Sequence, residues 1–86
     1  MNINQLQKIL QEKIERNINI EGIKIEDKTG LHTKHFSHQP GKFHIKLSIK
    51  SKYLNKINKI QGSKKIYQIL DFEIKNYIHS IQILIN

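Results

Sequence analysis

Five histidines and no cysteine stand in this chain, and that imbalance frames what chemistry it could do. His32, His35, His38 and His44 fall within thirteen positions of "EDKTGLHTKHFSHQPGKFHIK" at 26–46, and His79 lies near the end. Imidazole nitrogen binds zinc, copper and iron, and it changes charge close to neutral pH. Three of these residues are spaced by three on a loop that Gly30 and the Pro40-Gly41 turn interrupt. From spacing alone two readings stand: solvated surface imidazoles, or an all-histidine metal site.

Other site chemistry is sparse. A nucleophilic site needs a nucleophile, a base and an orienting group within reach. Here there is no thiol, no Gly-x-Ser-x-Gly elbow and no glycine-rich phosphate loop. The seven carboxylates are scattered, and Asp71 and Glu73 lie two apart on a helical pattern, facing different ways. The reading is therefore a protein that is not an enzyme. Lys64 and Lys65 follow Ser63, a helix-cap residue type, so free amides plus two ammonium groups would suit a phosphate. Lys56 and Lys59 nearby could extend this into an edge facing nucleic acid. Lysine is also over-used throughout, so a general solvated surface is the competing reading.

The net charge of +8 comes from lysine apart from Arg16. Such a surface attracts polyanions, but lysine is a point charge poorly suited to bidentate reading of bases. Weak phosphate affinity is expected rather than sequence-specific readout. The isoleucine, lysine and asparagine bias looks like drift toward AT-rich codons.

The elements that must position these residues can be read from periodicity. Leu6, Ile9, Leu10 and Ile14 form a helical stripe, with Asn2 or Asn4 as its cap. Ile23 and Ile25 alternate with Lys24 and Glu26 in a short strand after Gly22. Phe43, Ile45, Leu47 and Ile49 alternate with His44, Lys46, Ser48 and Lys50, a strand with one wet face that would carry His44. The two strands are expected to pair antiparallel across the histidine loop. A helical turn is expected at Tyr53–Ile57. Gly62 and Ser63 punctuate, and a long helix follows on Ile66, Ile69, Leu70, Ile74 and Ile78. Ile81, Ile83 and Ile85 alternate in a last strand, with His79 at the junction.

This gives an α+β fold: one domain over residues 1–86, ordered helix-strand-strand-helix-helix-strand. Helices would cover one face of a three-stranded sheet. No apolar run exceeds three residues, far short of a membrane span. The polar start "MNINQLQKIL" has no secretory h-region. A cytoplasmic bacterial protein, or one of the mitochondrial matrix, is the expectation.

With this order in hand, the chain resembles the BolA-like family along nearly its whole length. "DKTGLHTKH" at 27–35 resembles the family's Asp-Glu-Ser-x-x-His-x-x-His loop, with Asp27, Thr29, His32 and His35 in register. "HIKLSIKS" at 44–51 is similar to its His-Phe-Lys-x-x-x-x-Ser strand. "KIYQILDFEI" resembles the Val-Tyr-x-x-Leu helix, and "IHSIQI" the Ile-His-Ala-Leu-x-Ile strand. Where the family often has Arg-His-Arg before the long helix, this chain reads "GSK", with Ser63 at the histidine position. That departure weakens any borrowed DNA-binding role.

The resemblance implies a fold similar to type II KH domains and a monothiol glutaredoxin as partner. The two would share a [2Fe-2S] cluster with glutathione, in cluster assembly, transfer or iron sensing. It implies His79 as one ligand and His32 as the other, with His35 able to substitute. The thiolates would come from glutaredoxin and glutathione, so the isolated chain would be a monomer without a cluster. His44 is read as structural or interface-forming. The alternative is a nucleic-acid-binding transcriptional regulator that uses the KH-like fold together with the lysine-rich edge read above, Lys56, Lys59, Lys64 and Lys65.

Overall fold

The computed structural model describes residues 1–29 and 42–86, and the expected Pro40-Gly41 turn lies outside them. Helix α1 spans Ile3–Asn17. It starts on a reciprocal cap. The Asn2 side chain accepts from the Gln5 N–H (2.8 Å), and the Gln5 side chain accepts from the Asn2 N–H (3.1 Å). Two otherwise free backbone donors are satisfied in this way. Leu6, Leu10 and Ile14, one turn apart, are fully buried.

Strands β1 (Gly22–Asp27) and β2 (Phe43–Lys50) pair antiparallel, as their alternation implied, with Ile23 opposite Ile49 and Ile25 opposite Leu47. Strand β3 (Ile78–Ile85) pairs with β2 in parallel, giving the order β1-β2-β3. A parallel pair cannot be closed by a tight turn. The chain crosses instead through α2 (Lys52–Lys56), α3 (Lys59–Ile69) and α4 (Asp71–Asn76). Ile45, Leu47 and Ile49 of the central strand join Leu6, Leu10, Ile14, Leu54, Ile66 and Leu70 in the core. Each such side chain contributes about 1.5–3 kcal/mol through burial. At the exit of β2, the buried Ser51 hydroxyl donates to the Asn19 carbonyl (2.8 Å) and accepts from the Leu54 N–H (3.1 Å), capping α2.

The crossover departs from the sequence reading in three places. Ile78, expected at the end of the long helix, is instead the first residue of β3, because α4 stops at Asn76. Asn58, not Ser63, caps α3: its side chain accepts from the Gln61 N–H at 2.8 Å. Gly62 and Ser63 lie inside the helix. Gly62 serves close packing rather than a break, because a Cβ there would stand 2.9 Å from Ile85 Cδ1. The expected long helix is also divided. At Leu70 ψ opens to 15°, yet the bonds from Leu70 N–H to the Ile66 carbonyl and from Ile74 N–H to the Leu70 carbonyl continue through it. The result is a bend between α3 and α4.

That bend lets α4 reach α1. Glu73, only 4% exposed, meets Lys13 Nζ at 2.9 Å, while its neighbour Asp71 stays outside and pairs with Lys75 at 3.0 Å. Removing one partner of a buried pair strands the other charge. Lys13→Met should therefore lower stability in urea titration by about 1–2 kcal/mol, the discount reflecting the partly exposed lysine. Adding Glu73→Gln to Lys13→Met should recover part of that loss.

Candidate functional site

The pairing of β2 with β3 changes register between Phe43 and His44: Phe43 is opposite Ile78, but His44 is opposite Ser80. His79 is the extra residue, a bulge of the kind that re-aims side chains. Its signal is present in the sequence as the spacing of three from Ile78 to Ile81, where Ile81, Ile83 and Ile85 are spaced by two.

The bulge brings two imidazoles together. The His44 and His79 rings meet edge to face, with centroids 4.8 Å apart. His44 is buried (5% exposed), which corrects the expectation that it stands on a wet face. Its Nδ1 lies 2.6 Å from Ser80 Oγ, and His79 with Ser80 covers the strand face on which it sits. Period-two reasoning could not foresee a cover supplied by β3. His79 itself is half-buried and keeps access to solvent.

The backbone around His44 is fixed from the other side of the sheet. Its N–H donates to the Thr29 hydroxyl (3.2 Å), and its carbonyl accepts from the Lys28 N–H (2.7 Å). Thr29 is held in turn: its hydroxyl donates to the Asp27 carboxylate, which also accepts the Thr29 N–H (2.9 Å). The chain therefore leaves the described structure at Thr29, against His44. It returns at Lys42, next to Phe43, whose N–H donates to the Tyr77 carbonyl (2.9 Å). The candidate ligands His32 and His35, and also His38, lie outside the described residues.

A shallow depression on the open sheet face continues from His44, rimmed by Lys28, Lys46, Ser80 and Gln82. Glu26 stands beside it, opposite Lys46, with Lys28 Nζ at 3.5 Å and Lys24 Nζ at 3.7 Å. Desolvation pushes its carboxyl upward, but Lys24, Lys28 and Lys46 together, with the Lys28 hydrogen bond, hold it below the usual range. One carboxylate among three ammonium groups leaves this end of the face positive.

The lysines proposed for nucleic acid do not form one surface. Lys64 and Lys65 share a groove between α2 and α3 with Tyr53, Ile57, Gln61 and Gln68, and the Lys65 ammonium lies 5.4 Å from the Tyr53 ring centroid. Lys59 faces the end of β3 with Ser63. Lys56 is exposed at the end of α2. Because α3 begins at Lys59, Lys64 and Lys65 are not beside the free amides of a helix start.

The family model for BolA-like proteins matches residues 14–86. The chain belongs to the BolA-like family. It is 30% identical over 76 residues to the DNA-binding transcriptional regulator BolA of Haemophilus influenzae, covering 88% of this chain and 71% of that protein. The fold is shared with the BolA domain of SufE1 from Arabidopsis thaliana, at a TM-score of 0.77 and 21% identity, over 100% of this chain and 93% of that one. BolA1 of the same plant superposes with a TM-score of 0.76 at 20% identity, over 91% and 86% of the two chains.

Among the described residues, no three histidine, aspartate or glutamate side chains gather closely enough to hold a metal. His79 is the more accessible of the two rings, and His44, tied to Ser80, sets the wall against which it rests. Ser80→Ala should cost about 1 kcal/mol through the lost hydrogen bond. The direct readout is the ring-nitrogen NMR shifts of His44, which should change, while a variant at exposed Gln82 leaves them in place.

Proposed function

We propose that this BolA-like chain is an adaptor that pairs with a monothiol glutaredoxin and lends imidazole nitrogen to a shared [2Fe-2S] cluster. The observation that carries the reading is the placement of His79. It is reachable from outside, held by a bulge, and next to the point where the histidine-bearing segment departs. His32 follows Thr29 by three residues in the sequence. His79 with His32, or with His35 in its place, would then complete one half of a coordination sphere.

The donor chemistry agrees with such a division. Iron–sulfur clusters are held by thiolates, and this chain has none to give. Thiolates from the glutaredoxin cysteine and glutathione would leave positions that neutral imidazole can fill, and the tie would weaken as imidazole is protonated. Assembly, transfer or iron sensing are all served by a bond that forms and releases, in the bacterial cytoplasm or the mitochondrial matrix.

Mixing the chain with a monothiol glutaredoxin, glutathione, iron and sulfide should give a visible circular dichroism spectrum distinct from that of glutaredoxin alone. His79→Ala should return the spectrum to the glutaredoxin form while the far-ultraviolet spectrum of the chain is unchanged. Identical spectra with and without the chain would defeat the proposal.

A second reading, transcriptional regulation through nucleic-acid binding, draws support from the name of the Haemophilus relative and from the α2–α3 groove. There Tyr53 offers a ring face and Lys64 and Lys65 offer charge, the combination that single strands use for stacking and phosphate contact. On that reading, affinity for a labelled single strand falls about sevenfold between 50 and 200 mM salt, as about two phosphate contacts would require. Neutralising Lys64 and Lys65 together should flatten the slope. Salt-resistant, sequence-selective binding is the contrary result.

A further inference from the structure

The two edges of the sheet are finished differently. Strand β1 carries Lys24, Glu26 and Asp27, and Gln7 of α1 donates to its Ile25 carbonyl at 3.2 Å. Charges and covering contacts of this kind keep an edge from pairing with foreign strands. Strand β3, "IHSIQILI", has no lysine, arginine, carboxylate, proline or glycine in eight residues. The Asn86 N–H bonds to the Ile49 carbonyl, so alternation turns the backbone groups of Ile81, Ile83 and Ile85 away from β2. Among the described residues no side chain reaches those outward groups.

Beside this bare edge runs a groove whose walls are Lys59 and Ser63 of α3 and whose floor is Ile83, Leu84, Ile85 and Asn86. An edge strand next to a helix is the geometry in which an extended peptide adds a strand, with alternate side chains entering the groove. Leu84 is 38% exposed on the open sheet face, which offers apolar contact for the other set of side chains. The occupant's charge follows from what surrounds the strand. Lys59 stands at the rim, and the chain carries a net charge of +8 that opposes docking of a second copy.

We infer that the β3 edge and the α3 wall form a docking groove for an extended, acidic segment of a partner protein, which adds as a fourth strand beside β3. The surface lies at the far end of β3 from His79. It is independent of the cluster reading, because a partner strand there touches neither histidine.

The test uses the full chain and a displayed library of random linear peptides. Enriched sequences should alternate β-branched or apolar residues with Glu or Asp. On titration of the most enriched peptide, amide shifts should concentrate on Lys59, Ser63 and Ile81–Asn86, and the outward amides of Ile83 and Ile85 should gain protection from hydrogen exchange. Lys59→Glu should weaken binding by about threefold or more, as a rim charge does. Ser63→Trp, which fills the groove from its half-buried α3 wall, should abolish it with the helical circular dichroism intact. Absence of enrichment, basic or non-alternating sequences, or shifts centred on His44 and Lys46 would overturn the inference. So would sedimentation showing that the chain pairs with itself through β3. His79→Ala should bind the peptide as the parent does, which separates failure here from failure of the cluster proposal.

Discussion

The pairing of β2 with β3 carries one residue more on β3 than on β2, and the position of that residue decides what the histidine end of the molecule looks like. Side chains along a strand alternate strictly between two faces, so a slip of one residue exchanges the faces of everything beyond it. Ile78 must point at the core, and so must Ile81, Ile83 and Ile85, which pack against the same cluster. The two requirements are incompatible with an unbroken strand. Placing the extra residue at His79 satisfies both: Ser80 falls opposite His44 on the open face, and the His79 ring leaves beside it. The imidazole pair is thus a consequence of core packing, and deleting His79 would misplace either Ile78 or the three isoleucines that follow.

The same constraint assigns the two histidines different work. His44 comes from the central strand, is buried, touches Ser80 at 2.6 Å and has its backbone N–H and carbonyl both tied on the β1 side, by Thr29 and by Lys28. A side chain held this way is a support. His79, half-buried at the lip of the sheet, rests edge to face against that support and keeps part of its surface exposed. A ligand is most useful when its own rotamer is set by neighbours that do not themselves bind. The pair has the form of an accessible ring set against a buried support.

Much of this was legible in the sequence. The stripe Leu6, Leu10, Ile14, the alternation from Phe43 to Lys50, and the short helix near Tyr53 are local patterns, and each element formed where its pattern lay. The family resemblance put His79 forward, and the bulge explains its geometry. What could not be read depends on contacts between distant segments. His44 belongs by period to an exposed face, yet it is buried where β3 brings His79 and Ser80 against it. Gly62 and Ser63 have the composition of a break, yet the glycine is there so that α3 can approach Ile85. Asn58, four residues earlier, held the cap signal in plain view, but the Gly-Ser pair outweighed it in a one-dimensional reading.

The misplaced cap also bears on how the positive charge acts. Had α3 begun at Ser63, its free amides and Lys64 and Lys65 would have converged on one point, where a phosphate could be gripped. With the helix begun at Lys59, the amides near Lys64 and Lys65 are inside the helix, and Gly62 cannot serve in a Gly-x-x-Gly loop of the kind that clamps a nucleic-acid backbone. The helical turn further separates Lys59, which faces β3, from Lys64 and Lys65, which face α2. Charge spread over several faces raises encounter rates with any acidic partner without favouring one orientation. Orientation must then come from shape and from directional bonds. The structure offers those at the His79 bulge and along the uncharged edge of β3, both belonging to one strand whose register the core has fixed.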